Sequence, residues 1–230
     1  MNATAAKSSE KSIVLEEILP FWDKLTEEQQ NMISENTIGV KCRKKSNIVD
    51  DTCQGTGAIY VKSGTLRAYL LSEEGREITL YRLSKGDFGV LSSACVFDNM
   101  CFDIFVDAES DAEIYIIGSK SFSKVVKENI YAENFALREA TSRFSEVIWT
   151  LEQILFMSFD KRLAIFLIDE LAMNGGDTVY MTHEQIAKHM GSAREVVSRM
   201  LKYFSSEEMV RLSRGGVTVI NKEKLRRLTY

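Results

Sequence analysis

The stretch "THEQIAKHMGSAREVVSRMLKYF", residues 182–204, decides how this chain is read. Advancing about 100° per residue places Arg194, Glu195, Ser198, Arg199 and Lys202 in one sector of a helix. Val196, Val197, Met200, Leu201, Tyr203 and Phe204 fill the other sector, so the helix has one polar and one apolar face. Upstream, Ile186, Ala187 and Met190 give a shorter helix an apolar face that can pack against it. Thr182 and Gln185 stand at capping-box spacing, and Ser192 and Glu195 repeat it, so both helix starts are predicted on either side of a turn at Gly191. Two short helices around a glycine turn make a helix-turn-helix, whose second helix can carry its N-terminal side chains into the major groove of DNA.

The residue types on the polar face suit that task. Arginine can donate two hydrogen bonds to guanine O6 and N7, glutamate can accept from cytosine N4, and serine and lysine suit phosphates. The predicted DNA-contacting set is Arg194, Glu195, Ser198, Arg199 and Lys202, with Thr182 and Ser192 at the helix starts and Arg214 beyond them. Arg214 belongs to "EEMVRLSRGGVTVINKEKLRRL" (207–228), which reads as a hairpin around Gly215-Gly216, with Arg211 and Arg214 beside its tip, followed by a turn of helix. Residues 160–230 hold 12 basic and 9 acidic side chains, net +3, whereas residues 1–159 carry 17 basic and 24 acidic, net −7. The basic balance thus lies in the segment expected to meet nucleic acid. The rival reading is a sensory dimer whose C-terminal part binds protein. A neutral helix face would have favoured it, and Arg194 and Arg199 argue against it.

Working toward the N-terminus, "FDKRLAIFLIDELAMN" (159–174) reads as a helix stopped by Gly175-Gly176. Before it, residues 131–159 contain neither Gly nor Pro, and Leu137, Thr141, Phe144, Ile148, Leu151 and Leu155 step by 4, 3, 4, 3 and 4. That regular seam favours a coiled coil between two chains, with Leu137, Phe144, Ile148, Leu151 and Leu155 as dimerisation residues, over a helix packed only on its own sheet. "SKSFSKVVKEN" (119–129) is a further short helix. From Val40 to Ile117 the pattern becomes short apolar runs bounded by Ser63-Gly64, Glu74-Gly75 and Lys85-Gly86, as in consecutive hairpins of an antiparallel sandwich or roll. At the start, Thr26 is an N-cap before "EEQQ", and Pro20 separates two short helices. The fold class expected is therefore α+β, in three parts: a sensor β-roll with N-terminal helices over 1–130, a dimerisation helix over 131–159, and a winged helix-turn-helix over 160–230.

Composition narrows the classes. With 230 residues and 45% hydrophobic content the chain can build two cores. No run reaches the roughly 18 apolar residues of a membrane span, and "MNATAAKSSEKS" lacks an apolar signal core, so a cytoplasmic protein with no membrane partner is expected. Cys42, Cys53, Cys95 and Cys101 form no C-x-x-C pair and are expected as free thiols. No phosphate-binding glycine loop, G-x-S-x-G or H-E-x-x-H is present, and the Glu73-Glu74 and Glu207-Glu208 pairs flank turns, so no enzyme is expected.

The stretch 182–204 resembles the recognition region of the CRP/FNR family of bacterial transcription regulators. The resemblance runs over nearly the whole chain: a glycine-punctuated roll with "SGTLRAYLLSEEGREITLYRLSKGD" (63–87), a long helix, "KRLAIFLIDEL" (161–171) and a winged helix-turn-helix. It implies a cyclic-nucleotide-binding-like jelly roll, a homodimer, a palindromic double-stranded DNA operator and RNA polymerase as a partner. In that family an Arg-Glu-x-x-x-Arg set reads one half-site and a Glu-x-x-Ser-Arg set another, both sharing a TGA core. Arg194, Glu195 and Arg199 match the first, and Glu195, Ser198 and Arg199 the second, so the flanking bases stay open.

The resemblance also frames what the sensor lacks. Nucleotide-binding members carry a Gly-Glu pair and an Arg-Ser or Arg-Thr that hold the cyclic phosphate. In "GDFGVLSSACVFDNMCFDIFVDAE" (86–109), aligned on Ala108, Val90 follows Gly89 and Phe102-Asp103 replaces the second pair. An apolar ring cannot neutralise a phosphate and a carboxylate repels it, which argues against a cyclic nucleotide. No cysteine precedes Cys42, which argues against an N-terminal iron–sulfur cluster. His183 and His189 both fall in the helix-turn-helix, as surface or phosphate-contact residues. The effector, a small molecule or a redox signal, is unknown. Its pocket is expected around Leu91, Cys95, Val96, Phe97, Cys101 and Phe102, with Cys95 and Cys101 acting as a thiol switch, as metal ligands or as buried apolar side chains. No metal site is assigned.

Overall fold

Residues 15–49, 56–90 and 104–229 are described by a computed structural model. They fall into two units: residues up to Leu70 together with Leu80–Val147, and Leu71–Thr79 together with Ile148 onward.

In the first unit a helical turn at 15–18 and a 3-10 turn at Trp22–Lys24 flank Pro20. Helix α1 (Glu27–Glu35) then begins as its sequence requires: Thr26 accepts from the Gln29 amide while the Gln29 side chain accepts from the Thr26 amide. Eight strands follow: β1 (Thr37–Cys42), β2 (Asn47–Val49), β3 (Thr56–Ser63), β4 (Thr65–Leu71), β5 (Glu77–Ser84), β6 (Phe88–Val90), β7 (Phe105–Ala108) and β8 (Ala112–Gly118). They form two four-stranded sheets, in the orders β1-β8-β3-β6 and β2-β7-β4-β5, with antiparallel pairing.

The expected run of consecutive hairpins is corrected here. Only β4 and β5 are neighbours in one sheet, whereas β3 and β4, and likewise β5 and β6, lie in different sheets. The glycine turns at Gly64 and Gly86 therefore carry the chain from sheet to sheet, which makes a roll. Gly64 is needed for a second reason: with φ at 85°, a Cβ there would collide with the Asp111 carbonyl and Ala112.

Ile59, Val61, Leu66, Ala68, Leu83, Val106 and Ile114 pack in one apolar cluster of the roll. A second cluster joins Phe88 and Ile117 to Leu19, Trp22, Ile33 and to two helices, α2 (Ser119–Glu128), through Phe122 and Val125, and α3 (Ile130–Phe156), through Ala132 and Ala136. The 27 residues of α3 match the uninterrupted stretch seen in the sequence.

The second unit is built on one core, in which Leu163, Leu167, Ile186, Val197, Leu201, Phe204, Val217 and Leu225 are fully buried. Helix α4 (Phe159–Asn174) stops at Gly175, whose φ is 73°. Strand β9 (Thr178–Val179) pairs with β11 and had not been read from the sequence. Two residues are too few for a period. Helix α5 (His183–Met190) starts on the predicted Thr182–Gln185 capping box and ends at left-handed Gly191, φ 62°. Helix α6 (Arg194–Ser206) follows, then β10 (Val210–Ser213), β11 (Gly216–Val219) and α7 (Lys222–Arg227). The three strands form a small sheet in the order β10-β11-β9. The tip residues 71–79 belong to this unit, where Glu77 pairs with Lys188 at 2.7 Å.

The second capping box is not formed. Ala193 is the N-cap of α6 and supplies no side-chain bond. The Ser192 amide donates instead to the Ala187 carbonyl, so Ser192 is consumed in closing α5 and the next helix starts one residue later. Among the described residues no helix is long and apolar enough to cross a membrane.

Candidate nucleic-acid interface

Helix α6 lies on the core through Val197, Leu201 and Phe204. That orientation leaves its other face outward. Arg194, Glu195, Ser198, Arg199 and Lys202, the five side chains singled out in the sequence, line one open concavity of about 370 Å³. Tyr203, assigned by periodicity to the apolar sector, is half exposed. Arg194, Glu195, Arg199 and Lys202 form no hydrogen bond or ion pair among the described residues, so their donors and acceptors are free for an external partner. Three cations and one carboxylate in a solvent-open groove can bind a polyanion and read base edges.

Ser198 is different. Its Oγ lies 2.8 Å from Nδ1 of His183, the first residue of α5. Burial, and then the nearby Arg194 and Lys202 cations, hold the His183 imidazole below its ordinary pKa. Periodicity carries no sign of this pairing because it links positions 15 apart on two helices. The turn between them is held from outside by Arg162, which donates to the Met190 carbonyl at 2.6 Å.

The wing adds a second edge. Arg211 and Arg214 are exposed on and beside β10, and the turn at Arg214-Gly215 is left-handed at Gly215. Thr182, His183, Arg194, Ser213, Gly215 and Gly216 contribute to a cleft of about 310 Å³. Thr182 spends its hydroxyl on the α5 cap. Ser192, whose amide is committed to the turn, does not line either concavity.

The effector-pocket residues Leu91, Cys95, Val96, Phe97, Cys101 and Phe102 lie outside the described residues, as does Cys53. Val90 is described. It ends β6 and packs against the cluster of Phe88 and Phe122, where a carboxylate would be poorly solvated. Cys42 is a buried free thiol whose pKa burial pushes up. Among the described residues no three His, Cys, Asp or Glu side chains are placed to hold a metal ion.

A polar cluster that periodicity did not mark lies on the roll side of α3. Arg143 donates to Glu146 at 2.7 Å, its guanidinium sits 5.6 Å from the centre of the Tyr81 ring, and its buried Nε has no partner among the described residues. Burial pushes the Tyr81 hydroxyl up to about 12 and raises Glu139 and Glu146. The seam residues Leu137, Phe144, Ile148, Leu151 and Leu155 are all exposed on α3, and so are Trp149 and Phe156.

An antiparallel sensor-type roll, a long helix with a bare apolar seam and a winged helix-turn-helix with a free cationic face together define a DNA-binding transcription regulator. Comparison with known proteins agrees in both halves. Residues 40–129 match the cyclic nucleotide-binding domain and residues 161–228 the Crp-like helix-turn-helix domain. The crystal structure of a transcriptional regulator assigned to the crp/fnr family, from Eubacterium rectale, is 40% identical, with 93% of this chain and 99% of that chain covered and a TM-score of 0.87. The cAMP-activated global transcriptional regulator CRP of Pasteurella multocida is 23% identical over 78% of this chain and 88% of its own length. The cyclic AMP receptor protein of Thermus thermophilus is 28% identical over 72% and 76%. The chain belongs to the CRP/FNR family, and it is a transcription regulator rather than an enzyme.

Proposed function

We propose that the protein works as a homodimer that binds a palindromic operator, with the roll sensing a signal that controls binding. The observation that carries this reading is the polar face of α6, where Arg194, Glu195, Arg199 and Lys202 have no hydrogen-bond or ion-pair partner among the described residues. Arg194, Glu195 and Arg199 would read base edges, and Ser198, Lys202 and Arg214 the flanking phosphates. The exposed seam of α3 supports a two-chain coiled coil, which would set two recognition helices about one helical turn, roughly 34 Å, apart. RNA polymerase would be the partner that turns occupancy into regulation, in the cytoplasm. Cyclic AMP activates the Pasteurella relative, but Val90 in its apolar setting favours a different effector here.

Selection from random duplexes is the test. An enriched inverted repeat with TGA-type half-sites is expected. Recovery of no palindrome would overturn the reading and favour a protein-binding C-terminal unit.

A further inference from the structure

The helix-turn-helix contains a titratable group that DNA reading by α6 does not itself require. His183 is half-buried at the first position of α5, its Nδ1 is 2.8 Å from the Ser198 hydroxyl on α6, and it lines the cleft shared with Arg194 and the Gly215-Gly216 wing turn. We infer that His183 is a proton-linked positioning residue: DNA binding takes up a proton at its ring, and that proton sets Ser198 to donate a hydrogen bond outward. This rests on the DNA-binding reading above.

The argument starts from hydrogen-bond inventory. A neutral ring that accepts at Nδ1 consumes the Ser198 O–H, so the serine can present only lone pairs, which suit neither a phosphate nor another acceptor. A neutral ring that donates from Nδ1 frees the serine proton but leaves Nε2 as an acceptor. Only the imidazolium donates from both nitrogens. It then holds the Ser198 oxygen, leaves the serine O–H to point at a phosphate oxygen, and keeps a second donor.

The charges around the ring give the direction of linkage. Arg194 and Lys202 on α6 face it, Glu184 lines the same cleft from α5, and the wing contributes Ser213 and two glycines with no charge. In the free protein, burial and the two cations keep the ring neutral near pH 7. A DNA phosphate in the cleft would bring a negative charge to the ring and neutralise both cations, so the bound ring would hold its proton more tightly. A group with a higher pKa in the bound state strengthens binding as pH falls through that pKa. Protonation would thus tighten DNA binding.

The test uses the full chain and a duplex recovered by selection. Fluorescence anisotropy between pH 7.5 and 6.0 should show Kd falling about three- to fourfold per half-site, the response of one histidine whose proton affinity rises tenfold on binding. Calorimetry in buffers of different ionisation enthalpy should show net proton uptake. His183→Gln should flatten both signals, whereas His189→Gln should leave them intact. His183→Arg, which keeps a permanent donor and charge, should bind at pH 7.5 as the parent does at pH 6.0 with a flat profile. A parent profile that is flat, or a pH response that survives in His183→Gln or His183→Arg, would overturn the inference while leaving DNA binding in place. Failure of the parent to bind any duplex at any pH would overturn the DNA-binding reading itself.

Discussion

The exposed seam of α3 gives the most demanding prediction. Leu137, Phe144, Ile148, Leu151 and Leu155 are 38, 62, 43, 47 and 61% exposed in the single chain. Full burial of such a side chain stabilises by roughly 1.5–3 kcal/mol, so covering the exposed half is worth about 1 kcal/mol each. Over both chains the seam supplies on the order of 10 kcal/mol, against an association cost of about 4–15 kcal/mol. The margin is thin. Ile148→Glu removes about 1 kcal/mol of burial per chain and leaves a carboxylate in the seam, which costs at least about 1–3 kcal/mol more per chain. A loss of about 4 kcal/mol or more raises the dimer Kd about a thousandfold. Because the Ile148 side chain is exposed in the single chain, the substitution should leave the monomer fold intact, which far-UV circular dichroism checks. Sedimentation velocity at micromolar concentration should show a monomer whose DNA affinity falls with its dimer population. A variant that stays dimeric at the parent's concentrations would refute the seam as the dimer contact.

Arg199→Ala should cost about 1–3 kcal/mol of DNA affinity and relax base choice at one position per half-site, whereas Lys202→Ala should weaken all sequences alike and lower the salt slope, as competition and salt titrations would show. Ala193→Ser supplies the side-chain cap that α6 lacks and should add about 1 kcal/mol to unfolding stability, read as a raised denaturant midpoint. Millimolar cyclic AMP or cyclic GMP should leave the melting temperature unchanged, where a ligand of micromolar Kd would add about 4 kcal/mol; a clear shift would refute the reading of Val90.

Much of the second unit was legible because its signals are local. The Thr182–Gln185 box, the Gly191 turn and the two-faced pattern of α6 depend on residues within a few positions of one another, and each appears where the sequence placed it. The exception, Ser192, is instructive. Its spacing to Glu195 satisfies the capping rule, but the preceding helix claims its amide first, and only the backbone path through Gly191 reveals that competition. In the roll, glycine spacing found the turns but not which sheet each strand joins, since that depends on pairings such as β1 with β8 across some 75 residues. The pairing of His183 with Ser198 is illegible for the same reason: neither residue type is unusual at its position, and only the packing of α5 on α6 brings them together.

Helix α3 shows most clearly where periodicity stops. The 4-3 spacing marks its outward seam because every position on it but Thr141 is apolar. Its inward face carries Ala132, Ala136, Glu139, Arg143 and Glu146, which hold no large apolar side chain to mark a buried stripe. Ala132 and Ala136 are nevertheless fully buried, since a small side chain lets the helix approach its neighbours closely. Arg143 is tolerated there because Glu146 accepts from it and the Tyr81 ring lies beside its guanidinium, and Tyr81 is about 60 residues away in the chain. Burying a charge without such partners costs several kcal/mol, so a polar residue at a helix position says nothing about its burial until the partners are known. The apolar face is written along the helix, but the polar one depends on residues elsewhere in the fold. One side of α3 therefore offers a seam that a second chain could cover, and the other carries a charged cluster whose ionisation is set by the roll.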